Sequence, residues 1–302
     1  MKTEYPFPIF VYPTMRCNFS CSYCFTFSGP LEAKNSFLLD NWNKFLAECR
    51  VLLVPEIRLS GGEPLLIEDI ERRCRAISEY GMNYALLTNG SLLDRHLTWL
   101  RAVPPLTLWL SYHREYSTVD FFAKKVARAA DVLPRVGVHV FSRDLREKPG
   151  LVDRAVAAGA QRVKILSLTP VGRCLETVSD TLPREAVDVL VNRWKSISTG
   201  TLEVRFETPS VQGLSTGAST CVIRERPLLS IDHNGSVYPC CVTTGTSSTA
   251  LGNLQNETFE AIVRRSKLPF RRLPCAEILP SIINNQSPCP LRLETLASAE
   301  KT

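Results

Sequence analysis

Six short apolar or β-branched runs recur through the first two-thirds of the chain, each bounded by Gly, Pro or Asn. They cover residues 9–13, 56–60, 84–88, 106–112, 136–142 and 162–168. Helical periodicity fills the gaps between them. It is clearest at 41–53, at 69–80 before Gly81, at 151–158 before Gly159, and at 184–198 after Pro183. Short strands alternating with helices predict a parallel sheet with its helices on the outside. Chemistry in such folds collects at the C-terminal ends of the strands. There the unusual segments fall: CNFSCSYC after the first strand, SGGEP after the second, TNG after the third. From residue 201 the connections become rich in Ser, Thr and Gly, with short strands at 202–206 and 228–231 and one helix at 257–267. The expected division is therefore a first domain at 1–200 and a small, irregular second domain at 201–302.

Cysteine is the outlying residue, with 11 in 302 positions. The opening MKTEYPFPIFVYP lacks the basic, apolar and small-residue series of an export signal. No window of about 18 apolar residues could span a membrane. A cytoplasmic chain is expected, and in a reducing compartment a disulfide framework is disfavoured. An odd count also resists full pairing, so metal or cluster ligation leads. The net charge of +6 contains no long basic block, and nucleic acid is not an expected partner. The Arg264, Arg265, Lys267, Arg271 and Arg272 patch reads as a solvated helix end.

Cys17, Cys21 and Cys24 form C-x3-C-x2-C. Three thiolates on one loop can hold three irons of a cubane and leave the fourth open to another ligand. Zinc is the competing reading, but structural zinc sites pair one C-x2-C with another. With Tyr23 just before the third cysteine, and Gly61, Gly62, Glu63 and Pro64 after the second strand, the sequence resembles the radical S-adenosylmethionine (SAM) enzymes. That resemblance implies a partial (β/α)6 barrel and a [4Fe–4S] cluster whose open iron is chelated by the amino and carboxylate groups of SAM. It implies reductive cleavage of SAM to a 5′-deoxyadenosyl radical, fed by an external donor such as flavodoxin or ferredoxin. Two glycines let backbone approach a ligand closely, and Glu63 stands where an ammonium must be held. Thr88, Asn89 and Ser111 fall where the family contacts the carboxylate or ribose of SAM.

Cys221 is followed after 13 residues by Gly235, and after four more by Cys240. This C-x13-G-x4-C resembles the opening of SPASM and twitch domains, which carry auxiliary [4Fe–4S] clusters. Asn234-Gly235 predicts a hairpin that carries Cys240 back beside Cys221. The resemblance implies one closed auxiliary cluster on Cys221, Cys240, Cys275 and Cys289, hence two clusters in all. The last two ligands depart from the usual close pair, since 13 residues separate them. Zinc on the same four cysteines is the alternative. Cys49 and Cys74 read as small apolar residues on outer helices. Cys174, after the sixth strand, and Cys241, beside a ligand, are the candidate catalytic thiols, able to return a hydrogen atom to a substrate radical.

The short stretch before the first strand leads to the expectation of a small substrate, a sugar or aminocyclitol. Carbohydrate epimerisation in antibiotic biosynthesis is the favoured reading, with a cysteine as hydrogen donor. Alternatives are alcohol dehydrogenation, ribosomal-peptide maturation and, from another class, a non-catalytic iron–sulfur or zinc protein. Arg143, Arg173, Glu207 and His113 are expected to line the barrel mouth.

Overall fold

A computed structural model describes residues 4–30, 39–166, 173, 184–198, 200–207, 228–241, 244 and 250–266. The expected alternation is present. Strands β1 (Ile9–Val11), β2 (Glu56–Leu59), β3 (Asn83–Thr88), β4 (Thr107–Ser111), β5 (Val136–Phe141) and β6 (Arg162–Leu166) pair in sequence order, all parallel. Between and after them run α1 (Leu39–Val51), α2 (Ile70–Glu79), α3 (Leu93–Ala102), α4 (Val119–Ala130), α5 (Ser142–Glu147), α6 (Leu151–Ala157) and α7 (Arg184–Ile197). Helix α2 closes where expected: Gly81 N–H bonds the Ser78 carbonyl and Met82 N–H the Ile77 carbonyl. The same paired bonds close α6 at Gly159 and Ala160.

One face of the sheet packs on the helices. Ile57, Leu59, Leu108, Leu110, Val136, Val138, Val163 and Ile165 are buried, and form one core with helix residues such as Leu46, Ile77, Leu100 and Val126. Alternate positions turn to the other face of the sheet. These carry Glu56, Arg58, Trp109, His139, Arg162 and Lys164. Trp109 stacks on His139 at 4.6 Å, and the Lys164 ammonium lies 4.7 Å from the Trp109 ring centre. The sheet register sets Ser111, His139, Lys164 and Arg205 in one row.

The expected boundary at residue 200 falls between α7 and β7 (Glu203–Glu207), and β7 still extends the barrel sheet beside β6. On the opposite edge, β8 (Ser230–Ile231) pairs parallel with β1. β9 (Ser236–Tyr238) and β10 (Gly252–Asn253) follow antiparallel, so one sheet of ten strands runs β10-β9-β8-β1 through β7. Helix α8 (Phe259–Arg265) is capped by Thr258 and packs on α1. The Phe259 ring is 5.4 Å from Phe45, and the Glu48 carboxylate accepts the Phe259 and Glu260 backbone N–H groups. Among the described residues, no helix is long and apolar enough to cross a membrane.

Candidate cluster and cofactor site

Cys17, Cys21 and Cys24 are free thiols on the loop that leaves β1 at the C-terminal end of the sheet. Distant segments hold the loop. Cys17 N–H bonds the Gly29 carbonyl at 2.8 Å. Arg173, beyond β6, donates from its guanidinium to the carbonyls of Cys21 (2.8 Å) and Ser28 (2.6 Å), and from its backbone to that of Cys24 (2.9 Å). Past β4, Tyr116 stacks on Phe19 at 4.0 Å and accepts from Ser20 N–H, while the Glu115 carboxylate accepts from the Ser22 N–H and hydroxyl.

The donor set suits a cubane. A cubane takes its thiolates on separate irons. Burial pushes the Cys17 thiol up to about 11 and Cys21 up to about 12, and the neighbouring thiols add to both. Coordination to iron would supply the positive charge that turns these thiols into thiolates. Cys17 already accepts from Phe19 N–H at 3.4 Å and faces the Asn89 amide at 3.9 Å; Cys24 meets the Thr26 hydroxyl at 3.3 Å.

The two glycines after β2 make a close approach, but to the chain itself. A Cβ on Gly61, where φ is +111°, would lie 2.5 Å from the Thr14 carbonyl oxygen; one on Gly62 would lie 2.0 Å from that of Arg16. Their absence lets Gly62 N–H bond Thr14 (2.8 Å) and Glu63 N–H bond Arg16 (2.9 Å), one residue before the first cysteine. Glu63 is fully buried. Its oxygens accept from Leu65 N–H (3.0 Å), the Thr88 hydroxyl (2.7 Å) and Asn89 N–H (2.8 Å). Burial raises its carboxyl above the usual range, against the pull of those three donors. The carboxylate thus ties the β2 turn to the β3 turn, with Pro64 opening a short 3-10 turn, Pro64–Leu66. Asn89 reaches on to Asn18 at 3.0 Å.

Three of the four residues expected to line the barrel mouth turn to the cysteine loop instead. Arg173 holds its carbonyls. His113 Nδ1 lies 3.5 Å from Cys21 Sγ and 3.1 Å from the Tyr23 hydroxyl, and burial pulls its imidazole down to about 4. Arg143 lies 4.1 Å from the Tyr23 ring centre. The Glu207 side chain lies outside the described residues. Around Arg143 is a feature sequence reasoning missed. Arg143 Nε and Nη2, both Asp144 oxygens, and the Tyr112 and Ser142 hydroxyls are buried with no hydrogen-bond partner among the described residues. Arg143 and Asp144 face each other at 3.5 Å, and burial pushes the Asp144 carboxyl up to about 6. The pair forms a buried polar cluster with Ser142 and Tyr112. Its only signal in the sequence is a charged pair directly after an apolar strand.

Cys240 and Cys241 follow the β8–β9 hairpin, which turns at Asn234-Gly235 as expected. Asp232 accepts from Asn234 and Ser236 N–H at 2.9 Å and from the Tyr238 hydroxyl at 2.8 Å; Ser230 donates to the Cys240 carbonyl at 3.0 Å. Buried Tyr12 sits beside both thiols, its hydroxyl pushed up by burial and then by Cys241 and Cys240. Its ring is edge-on to Phe25 at 6.4 Å, and Phe25 follows Cys24. Cys49 and Cys74 are fully buried on α1 and α2. Cys174, Cys221, Cys275 and Cys289 lie outside the described residues.

A parallel α/β barrel with three free cysteines after its first strand and a Gly-Gly-Glu-Pro turn after its second defines a radical SAM core. Residues 11–113 match the radical SAM superfamily, and residues 221–289 match SPASM, the iron–sulfur cluster-binding domain. The chain is a radical SAM enzyme with a SPASM domain, and SAM and iron–sulfur clusters are its cofactors. A PqqA peptide cyclase of Rhodopseudomonas palustris is 24% identical over 289 residues, 88% of this chain and 75% of that protein. An Fe-coproporphyrin III synthase of Methanosarcina barkeri is 25% identical over 203 residues, 61% of this chain and 50% of that protein. Streptococcus suis SuiB bound to precursor peptide SuiA superposes with a TM-score of 0.71 at 17% identity, over 95% of this chain and 70% of that one. The non-catalytic and zinc readings fall. The expected sugar or aminocyclitol substrate has no counterpart among these three.

Proposed function

We propose that this enzyme takes a hydrogen atom from a peptide and acts as a ribosomal-peptide maturase. The match to a PqqA peptide cyclase across 88% of the chain carries the proposal. It replaces sugar epimerisation as the favoured reading. Cys17, Cys21 and Cys24 hold the SAM-binding cluster. Cys221, Cys240, Cys275 and Cys289 hold the auxiliary one, and the chain divides functionally near residue 200. Bound together, cluster and SAM supply a hydrogen-abstracting radical. The chain's own part is placement. Gly61 and Gly62 hold the cysteine loop against the β2 turn, and Pro64 starts the turn that follows. Glu63 positions Thr88 and Asn89 beside that loop. Arg143 lies over the Tyr23 ring beside the cysteine loop, and Ser111 ends β4 at the same end of the sheet. Cys241 and Cys174 are the thiols proposed to return a hydrogen.

The test is anaerobic reconstitution of the full chain with SAM and reductant, together with peptides encoded beside its gene. The expected result is 5′-deoxyadenosine with a peptide changed in mass. Loss of two hydrogens marks a cross-link or oxidation; gain of one solvent deuterium marks inversion. Turnover of a sugar alcohol, with every peptide unchanged, would overturn the proposal.

A further inference from the structure

The end of the barrel away from the cysteine loop carries a second group of charges. Glu56, Arg162 and Glu203 open β2, β6 and β7, whereas the cysteines follow the last residue of β1. Together with Arg58, Lys164 and Arg205 they line a cavity of about 430 Å³, counted with the solvent at its mouth. Trp109 is one wall. Its ring lies over Gly137, where a Cβ would come within 2.5 Å of the ring carbons. The same ring stacks on His139, one row nearer the cysteine loop. The Lys164 ammonium stands 4.7 Å from its centre.

Among the lining residues four cations stand against two carboxylates, a surplus of two positive charges. Arg162 Nε, at 3.0 Å, and Arg205 Nε share the single Glu203 carboxylate. Arg162 Nη1 donates to the Thr107 hydroxyl at 3.1 Å. Arg58 meets both oxygens of Glu56, through Nε at 3.2 Å and Nη2 at 3.1 Å. A guanidinium has five N–H donors. Hydrogen bonds among the described residues therefore leave Arg58 Nη1, Arg162 Nη2 and both terminal nitrogens of Arg205 with donors to give. The carboxylates aim the arginines without using them up. These ion pairs are partly exposed, and such pairs contribute little each, so an anion can join them without breaking a buried pair.

We propose that Arg58, Arg162 and Arg205 form a phosphate-binding site at the N-terminal end of the barrel. The planar guanidinium fork matches the spacing of phosphoryl oxygens. A phosphate monoester carries about −1.5 to −2 charges at neutral pH, which meets the surplus of two; a carboxylate meets half of it. The ligand is free inorganic phosphate or the phosphate of a small ester, and the recognising chemistry is the same for both. Because the site and the cysteine loop lie at opposite ends of the strands, its part is binding and not reaction. It holds whichever substrate the radical attacks.

The test is isothermal titration calorimetry of the anaerobically reconstituted full chain with inorganic phosphate, at fixed ionic strength and without SAM or peptide. The expected result is saturable binding with a Kd of about 1 mM or tighter. Arg205→Gln and Arg58→Gln should each weaken it about tenfold. Arg205→Lys keeps the charge and should retain part of the affinity. Iron content and thermal unfolding identify any variant that fails to fold, and the Arg205 side chain, 60% exposed, is the least tied to the fold of the three. Glycerol 3-phosphate separates the two sources. Tighter binding than inorganic phosphate assigns the site to a phosphate ester, and equal or weaker binding assigns it to the free ion. Absence of saturable binding at millimolar phosphate overturns the proposal. So does phosphate affinity that folded Arg205→Gln and Arg58→Gln both leave intact, and so does acetate bound as tightly as phosphate. No SAM or peptide enters the titration, so its failure leaves the proposed function standing.

Discussion

Gly62→Ala tests whether the two glycines serve the chain rather than a ligand. An added Cβ would sit 2.0 Å from the Arg16 carbonyl oxygen, 2.5 Å from its carbon and 2.9 Å from the Met15 carbonyl carbon. Contacts below 3.0 Å are essentially never seen, so this backbone must retreat by at least 1.0 Å. No side chain can swing aside to absorb the change. The retreat breaks Gly62 N–H to Thr14 and Glu63 N–H to Arg16, whose donor residue Glu63 is buried. Each such bond contributes about 1 kcal/mol, and a buried donor left unpaired costs about 1–3 kcal/mol. The sum is about 3 kcal/mol, roughly a 100-fold loss in the folding constant. Arg16 precedes Cys17, so the cysteine loop moves with it. Urea unfolding of the apoprotein measures the first effect, and iron bound per chain after reconstitution the second. Gly200→Ala is the control, because a Cβ there meets nothing within 4 Å. A Gly62→Ala protein within about 1 kcal/mol of wild type, with full iron content, would refute the reasoning.

Further outcomes follow from single contacts. Arg173→Met removes two guanidinium bonds to loop carbonyls and should cost about 2–3 kcal/mol locally, read as faster hydrogen exchange at residues 21–28 and lower iron retention. Burial raises the folded-state pKa of Glu63 above the ordinary 4.5, so this group destabilises the fold at neutral pH. Stability should rise as pH falls through the raised value toward 4.5, and Glu63→Gln should flatten that slope in pH-dependent unfolding. Glu48→Ala strips the acceptor from the start of α8 and should cost about 1–2 kcal/mol, with faster exchange confined to α8 and β10.

The strands, the helices and the cysteine motif are legible in the sequence because each is local. A strand of β-branched residues between turn formers declares itself within ten positions, and so does C-x3-C-x2-C. What surrounds the cysteines is not local. His113 lies 92 residues from Cys21 along the chain, and Arg173 lies 152 residues away. Sheet order and register bring them to one loop. Sequence reading places both at the barrel mouth because they follow strands, which fixes the end of the barrel they occupy but not the way they face. Gly61 and Gly62 show the same limit from the other side. A missing side chain permits close approach without naming what approaches. Here it is the backbone of residues 14–16, so the motif holds the loop that bears the three cysteines. The strands look uniformly apolar in sequence for a related reason. Arg58, His139 and Lys164 interrupt them singly, and only the pleat reveals that these interruptions share one face and line the barrel.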